Sequence, residues 1–299
     1  GAEGVTGIRD MGGTLAILAA YRDSLRRGAP AWPRVVAAGE ILDGPDPVQA
    51  DISIPVRDAA AAKAAVDSLA AAGADFIKVY TLLPRDAYFA VIAEARRRGL
   101  AVAGHVPAAV TPEEAARAGQ RSIEHLRDEI DPLCVPADVA ACARLAAVFR
   151  AEHTWQVPTL VVLRFKASFD DPGVLEDSLL RYLPAALRRD WLAERAGKLK
   201  RGAAYLAEKR KRYAGELWLT GFFAQEHVPL LAGTDAGSAF AYPGFSLHDE
   251  LALLVKAGLS PLDALRAATL APAGAEPAGA MKSTRAPISG RMRGSRSVM

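Results

Sequence analysis

The sequence predicts an α/β fold of the (β/α)8, or TIM-barrel, type. Segments with strand-like and helix-like hydrophobic spacing alternate along the chain, which indicates β-α-β units and a parallel sheet. The strand-like segments are short and apolar along most of their length, as is typical of strands buried on both faces. Five of them have an ionisable residue at or near the carboxyl end, where this type of barrel carries its active site. These residues are Asp10, Lys78, His105, His125 and Asp235.

Seven strands are predicted, whereas a closed barrel of this type needs eight. We expect strands over residues 5–10, 34–41, 76–80, 101–105, 122–125, 157–163 and 230–235. Helices are expected over residues 14–27, 59–72, 84–98, 111–118, 136–150, 247–257 and 261–270. Gly73 and Gly99 follow two of these helices, as glycine commonly does at a helix end. Thr111 and Glu114 have the spacing of a capping box at the start of another.

The composition excludes several classes of protein. The chain has 299 residues, of which 51% are hydrophobic and 24% charged, as in an ordinary globular protein. A net charge of +3 is too small over this length to indicate a nucleic-acid partner, and no apolar run is long enough to cross a bilayer. We therefore expect neither nucleic acid nor a membrane as a partner. Cys134 and Cys142 lack CxxC spacing and are expected to be two buried or half-buried thiols without a disulfide.

Several motifs resemble those of the amidohydrolase superfamily and occur in the family's order. Residues 4–13 (GVTGIRDMGG) are similar to its second strand, 74–80 (ADFIKVY) to its fourth, 104–107 (GHVP) to its fifth and 122–126 (SIEHL) to its sixth. Residues 231–237 (LAGTDAG) resemble its eighth strand, and residues 247–251 (LHDEL) and 257–261 (AGLSP) resemble the helices that follow it. The resemblance extends to about residue 272 and is greatest to the imidazolonepropionase-like and Xaa-Pro-dipeptidase-like branch.

The resemblance implies a divalent metal, zinc first among the candidates, and a set of ligands for it. His105 and His125 would bind one ion, and Lys78, carboxylated on its amine, would bridge two. Asp235 would bind the second ion and carry a proton from the attacking water to the leaving nitrogen. Imidazole and carboxylate are ligands that suit zinc, which activates water and polarises a carbonyl. The implied reaction is hydrolysis of a carbon–nitrogen bond in a small amide, cyclic amide or dipeptide.

Each of these residues has a structural alternative. A histidine can be a buried structural residue, Lys78 can form a simple salt bridge, and Asp235 can cap a helix. Their position at strand ends, within motifs that occur in the family's order, favours the metal-binding and catalytic roles. A second group of residues could contact substrate or support the ligands, with helix capping or bracing of the barrel as the alternatives. It comprises Tyr80, His248, Arg9 and Asp10.

The chain departs from the family pattern at both ends. The family's first strand ends in His-x-His, and this sequence contains no His-x-His. We therefore expect a barrel over residues 1–272 that lacks the first strand and the flanking β-sandwich, with impaired activity. The compartment stays open, with the cytoplasm as the default, because a signal peptide would precede residue 1. Residues 273–299 are rich in Ala, Gly, Ser, Pro and Arg and predict a disordered tail.

An insertion is expected at about residues 164–229. Residues 181–212 contain eleven Lys or Arg and three acids, and they predict a helix. A basic helix can bind nucleic acid or a membrane surface. A helical lid over the barrel mouth is the favoured interpretation, because several large apolar side chains need a protein surface to cover. These are Trp191, Leu192, Leu199, Tyr205 and Leu206.

Three hypotheses for function remain. The first is a metal-dependent hydrolase that acts on a small-molecule amide or peptide. The second is a non-catalytic fragment of such an enzyme, because the His-x-His strand is absent. The third, which the sequence favours least, is a nucleic-acid-binding protein that acts through the basic helix. A homo-oligomer is compatible with all three.

Overall fold

The computed structural model describes residues 3–28, 33–126, 130, 134 and 138–275. The strands in these residues are β1 (Gly7–Asp10), β2 (Arg34–Ala37), β3 (Ile41–Asp43), β4 (Ser53–Pro55), β5 (Phe76–Val79), β6 (Ala101–Gly104), β7 (Gln120–Glu124) and β8 (Trp155–Val157). The first six α-helices are α1 (Leu15–Arg26), α2 (Ala59–Ala72), α3 (Arg85–Arg98), α4 (Pro112–Ala118), α5 (Val139–Ala151) and α6 (Leu160–Ala167). The later helices are α7 (Ala185–Leu199), α8 (Ala203–Gln225), α9 (Phe245–Ala257), α10 (Pro261–Ala268) and α11 (Leu270–Ala275).

All strand pairs in the described part of the chain are parallel, as the alternation of strands and helices predicts. A six-stranded sheet has the order β4-β3-β5-β6-β7-β8, and β1 pairs with β2 in a second sheet. The two sheets meet at Asp75, whose N–H donates to the Ala37 carbonyl at 2.8 Å and whose Oδ2 accepts from the Ala37 N–H at 2.8 Å. Leu230 extends the sheet beyond β8 as a single parallel bridge to Gln156. The described strands do not form a closed barrel.

Helix ends follow the signals in the sequence. Gly73 and Gly99 end α2 and α3 in the left-handed conformation, with φ of +91° and +71°. Thr111 and Glu114 form a capping box at the start of α4, with both of its side-chain bonds present. These local signals are reliable because each satisfies backbone groups that the helix itself leaves without a partner.

The two faces of the main sheet have different neighbours. Ile77 and Val79 of β5 belong to the large apolar core that the strands form with the surrounding helices. Phe76 belongs to a smaller cluster with Val36, Ala38 and Ala103 on the other side, which we call the inner face. Because alternate side chains of a strand face opposite ways, Lys78 shares the inner face with Phe76. In a (β/α)8 barrel, functional residues lie near the carboxyl ends of the strands and point inward, on the side that corresponds to this inner face.

Several predicted strands are wrong in their extent. The strand expected over 157–163 ends at Val157, and Leu160 begins helix α6 instead. Residues 160–163 are all buried in that helix, and a short buried apolar run cannot be assigned to strand or helix from its spacing. The segment 230–235 forms a single bridge and no regular strand, and the strand expected over 34–41 is interrupted to give β2 and β3. β4 was not predicted.

The expectation of two separate thiols is also wrong. Cys134 and Cys142 form a disulfide with their Cα atoms 4.6 Å apart. Cys142 lies on the first turn of α5, so the disulfide joins Cys134 to the start of that helix. A sequence separation of eight residues between two cysteines does not by itself predict a disulfide.

The remaining differences concern the insertion and the tail. The helix expected over 181–212 is two helices, α7 and α8, separated at Gly202, which has a φ of +83°. Residues 273–275 complete helix α11 and are not disordered, whereas the rest of the predicted tail lies outside the described residues. The first residues of the helix expected from 136 also lie outside them. None of the described helices combines the length and the apolar character that crossing a bilayer requires.

Candidate active site

His105 and His125 come together at the carboxyl ends of neighbouring strands. His105 follows β6 directly and is buried, and His125 follows β7 directly and is half-buried. Their ring centroids are 5.1 Å apart, and the ring planes are nearly perpendicular at 88°. His125 has a φ of +74°, so the chain turns sharply where β7 ends. Of the four residues predicted as metal ligands, these two are in direct ring contact.

A threonine hydroxyl holds each of these rings. His105 Nδ1 lies 2.9 Å from Thr81 Oγ1, and His125 Nδ1 lies 2.7 Å from Thr159 Oγ1. Both hydroxyl groups can donate or accept, so the tautomer of each ring is open. Because Nδ1 is engaged in both rings, Nε2 is the nitrogen through which either one would bind a metal.

Tyr80 and Lys78 lie beside His105. The Tyr80 ring stacks on the His105 ring, with centroids 4.0 Å apart and an interplanar angle of 28°. Its hydroxyl accepts a hydrogen bond from Gln49 Nε2 at 2.7 Å. The Lys78 Nζ lies 5.6 Å from the centroid of the Tyr80 ring, and the residue is only 3% exposed. A lysine buried to this degree is rare unless another group compensates for its charge.

Arg9 crosses the inner face from β1 to β7. Its Nη1 donates to Ser122 Oγ at 2.9 Å, and its Nη2 forms an ion pair with Glu124 Oε1 at 2.9 Å. The guanidinium also lies over the Phe76 ring, 5.7 Å from the centroid. Through these contacts Arg9 braces β1 against β7. Glu124, its ion-pair partner, is the residue directly before His125.

Asp10, at the end of β1, is partly buried. Its Oδ1 accepts a hydrogen bond from the Gly12 N–H at 3.2 Å. Burial raises the pKa of this carboxyl group, and the bond from Gly12 opposes part of that rise.

Asp235 and His248 make their contacts with residues other than the histidine pair. Asp235 is exposed in a turn with a φ of +50°, and its Oδ2 accepts a hydrogen bond from Ser238 Oγ at 2.8 Å. His248 is exposed on α9, with its Nε2 3.7 Å from the Glu3 carboxylate. Within the described ranges, no group of three or more His, Cys, Asp and Glu residues could hold a metal ion. The segment 230–235 forms only one bridge, at Leu230, and Asp235 therefore lies in a turn and not at the end of a strand.

Helices α7 and α8 pack on the loop that follows Asp235. Trp191 of α7 contacts Phe240 and Tyr242, with ring centroids 5.7 and 5.3 Å away. Tyr205 and Leu206 of α8 belong to the same buried cluster, and Leu192 and Leu199 pack against it. The apolar residues that the sequence marked as needing a protein surface are therefore covered by one. Arg210 lies at the exposed side of α8 and forms an ion pair with Asp170.

Sequence reasoning missed two buried carboxylates that hold the turns carrying the threonines. Glu250 of α9 accepts hydrogen bonds from the N–H groups of Leu160 and Val161, the residues after Thr159. Asp43, at the end of β3, accepts one from the Leu82 N–H at 2.7 Å, directly after Thr81. Burial raises the pKa of Glu250 to about 8, although the two backbone bonds act in the opposite direction. Glu250 lies inside the LHDEL motif, so a signal was present but did not indicate this role.

The solved structures similar to this chain share its α/β, TIM-barrel class of fold. Bottromycin amidohydrolase matches with a TM-score of 0.73 and 31% identity, over 91% of this chain and 62% of its own. A Xaa-Pro dipeptidase with methionine bound in its active site matches with a TM-score of 0.64 and 20% identity, over 91% and 64%. An ochratoxinase from A. niger matches with a TM-score of 0.63 and 19% identity, over 93% and 62%. The chain thus spans less than two thirds of each of these proteins.

A sequence-family model assigns the chain to its family. The model of the amidohydrolase family matches residues 2–275, which is most of the chain. A comparison with curated proteins gave no match. The chain belongs to the amidohydrolase family, a family of enzymes that hydrolyse carbon–nitrogen bonds. The family resemblance seen in the sequence is therefore confirmed.

Proposed function

We propose that this chain carries the catalytic residues of a metal-dependent hydrolase that cleaves a carbon–nitrogen bond in a small amide, cyclic amide or dipeptide. The observation that carries the proposal is the contact of His105 and His125 at the ends of adjacent strands, with each Nδ1 bonded to a threonine. The 31% identity to bottromycin amidohydrolase supports an amide as the substrate class.

The donor set fits one divalent ion such as zinc. Two imidazoles oriented through their Nδ1 atoms are a common part of catalytic zinc sites. Lys78 shares the inner face with them and would add an oxygen ligand once its amine is carboxylated. When bound, the ion would supply Lewis acidity, which activates water and polarises the carbonyl of the substrate.

The remaining residues act by holding, aligning or moving protons. Tyr80, fixed by Gln49, supports one face of the His105 ring and limits its rotation. Asp235 has an exposed carboxylate, one oxygen of which is bonded to Ser238, and it would move a proton between water and the leaving nitrogen. The α7–α8 insertion packs on the loop after Asp235, so it would cover the substrate on that side.

Metal content tests the ligand assignment. The full chain would be loaded with Zn²⁺, passed through a desalting column and subjected to elemental analysis. We expect bound zinc in the wild type and its loss in the variant His105→Ala plus His125→Ala. His153→Asn is the matched control, because His153 is exposed with a φ of +52°, a conformation that asparagine tolerates. Equal zinc in wild type and double variant would overturn the assignment.

A second candidate is a non-catalytic fragment of such an enzyme, with one weakened metal site or none. One observation favours it: within the described residues, no cluster of three or more His, Cys, Asp and Glu could hold a metal. Loss of one metal from a two-metal site removes both water activation and positioning. Turnover of Xaa-Pro dipeptides and N-acyl amino acids by the zinc-loaded chain separates the two candidates. Activity that Asp235→Asn abolishes supports the hydrolase, and zinc binding without turnover supports the second candidate.

A further inference from the structure

Thr159 occupies an unusual position at the start of α6. It is the residue before the helix, where a threonine hydroxyl normally accepts a hydrogen bond from one of the first backbone N–H groups. Here the side chain makes no capping bond to the described residues of that helix, and its Oγ1 lies 2.7 Å from His125 Nδ1 instead. The φ of Thr159 is +51°, a conformation that β-branched residues seldom adopt. The turn therefore needs support from outside the helix.

Glu250 provides that support. Its Oε1 accepts a hydrogen bond from the Leu160 N–H at 3.1 Å, and its Oε2 accepts one from the Val161 N–H at 2.7 Å. These N–H groups belong to the first turn of α6, where a helix has no internal partner for them. Glu250 is fully buried, so water does not compete for the two bonds. The carboxyl group of Glu250 thus caps α6 from α9 in place of the threonine.

We infer that Glu250 is a positioning residue for His125 and acts through Thr159. By capping α6 it fixes the left-handed turn and leaves the Thr159 hydroxyl to the His125 ring. The hydroxyl then holds Nδ1, so Nε2 keeps a single direction. The consequence for metal binding rests on the proposed function, whereas the chain of contacts from Glu250 to the ring does not.

Ring nitrogen signals of histidine test the contact chain without metal or substrate. The full chain, labelled with ¹⁵N-histidine, contains only five histidines, so each can be assigned. Glu250→Gln keeps the size of the side chain but replaces one acceptor oxygen with a donor that faces a backbone N–H. We expect it to shift the His125 signals and to leave those of His105 in place. Thr159→Val should shift the same signals, and Thr81→Val, the matched control, should shift those of His105.

Coupling between the two residues separates positioning from general stability. If Glu250 acts through Thr159, adding Glu250→Gln to Thr159→Val should change the His125 signals little further. Equal shifts of all five histidines, or an unmoved His125 in Glu250→Gln, would overturn the inference. If Glu250→Gln does not fold, Glu250→Asp replaces it, since it keeps the carboxyl group but withdraws it by one methylene. The same displacement of the His125 signals is then expected, and its absence would overturn the inference.

Zinc titration gives the functional consequence. Loss of a group that orients a metal ligand typically weakens metal binding by about 10- to 100-fold, and we expect a loss in this range for Glu250→Gln. Thr159→Ser, which keeps the hydroxyl, should retain wild-type affinity, and Thr159→Val should not. Unchanged zinc affinity in Glu250→Gln would overturn the positioning role. Absence of zinc binding in the wild type would instead overturn the proposed function, with the histidine signals still reporting on the contact chain.

Discussion

Replacement of Arg9 by methionine should destabilise the protein strongly. The guanidinium is 18% exposed and its partner Glu124 only 4%, so the variant leaves a buried carboxylate that still accepts a hydrogen bond from the Ser122 hydroxyl. Breaking a buried pair from one side costs about 3–5 kcal/mol, and we expect the lower end because Ser122 still donates. Urea denaturation followed by circular dichroism measures the change in the free energy of unfolding.

Two comparisons make this test specific. Arg26→Met removes the exposed ion pair with Asp23 on α1 and should change the free energy of unfolding by less than about 1 kcal/mol. Adding Glu124→Gln to Arg9→Met should restore part of the lost stability, because no buried charge is then left without its counter-charge. A loss below about 1 kcal/mol in Arg9→Met would show that Arg9 does not brace the strands, and a role in substrate binding would then be favoured.

Three further predictions concern other parts of the molecule. Burial raises the pKa of Glu250 from 4.5 to about 8, so the folded chain holds a proton that the unfolded chain releases. The free energy of unfolding should therefore fall as pH rises from 4.5 towards 8, and denaturation at several pH values should show this dependence reduced in Glu250→Gln. Reduction of the Cys134–Cys142 disulfide should lower stability by about 2 kcal/mol, because the closed loop is short; unchanged urea midpoints in oxidised and reduced protein would refute this. Trp191→Ala should make α7 and α8 susceptible to limited proteolysis while the sheet stays protected, and equal cleavage rates in wild type and variant would show that the insertion does not depend on this contact.

The sequence predicts the parallel α/β architecture well because its signals are local. Alternating apolar segments, the glycines after α2 and α3, and the capping box of α4 each determine structure within a few residues. The helix α6 was predicted as a strand because all of its first four residues are buried, so no polar face marks its period. The disulfide was missed because the spacing of its two cysteines, eight residues apart, matches no pattern typical of a disulfide.

The candidate site was predictable only in part. The position of His105 and His125 after neighbouring strands follows from the order of elements, since parallel strands end on the same side of a sheet. The threonines and carboxylates that support them come from distant segments, and only the folded chain brings Thr159 and Glu250 together. Asp235 was expected at a strand end, and its turn conformation reflects a segment that forms one bridge and no strand.

X-ray absorption spectroscopy at the zinc edge tests the central claim most directly. The full chain, loaded with one equivalent of Zn²⁺, should show scattering from two imidazole rings with Zn–N distances of about 2.0–2.1 Å. The variant His105→Ala plus His125→Ala should lose this imidazole scattering, and His153→Asn should keep it. A zinc spectrum without imidazole, or one that is identical in wild type and double variant, would contradict the assignment of these two histidines as the metal ligands.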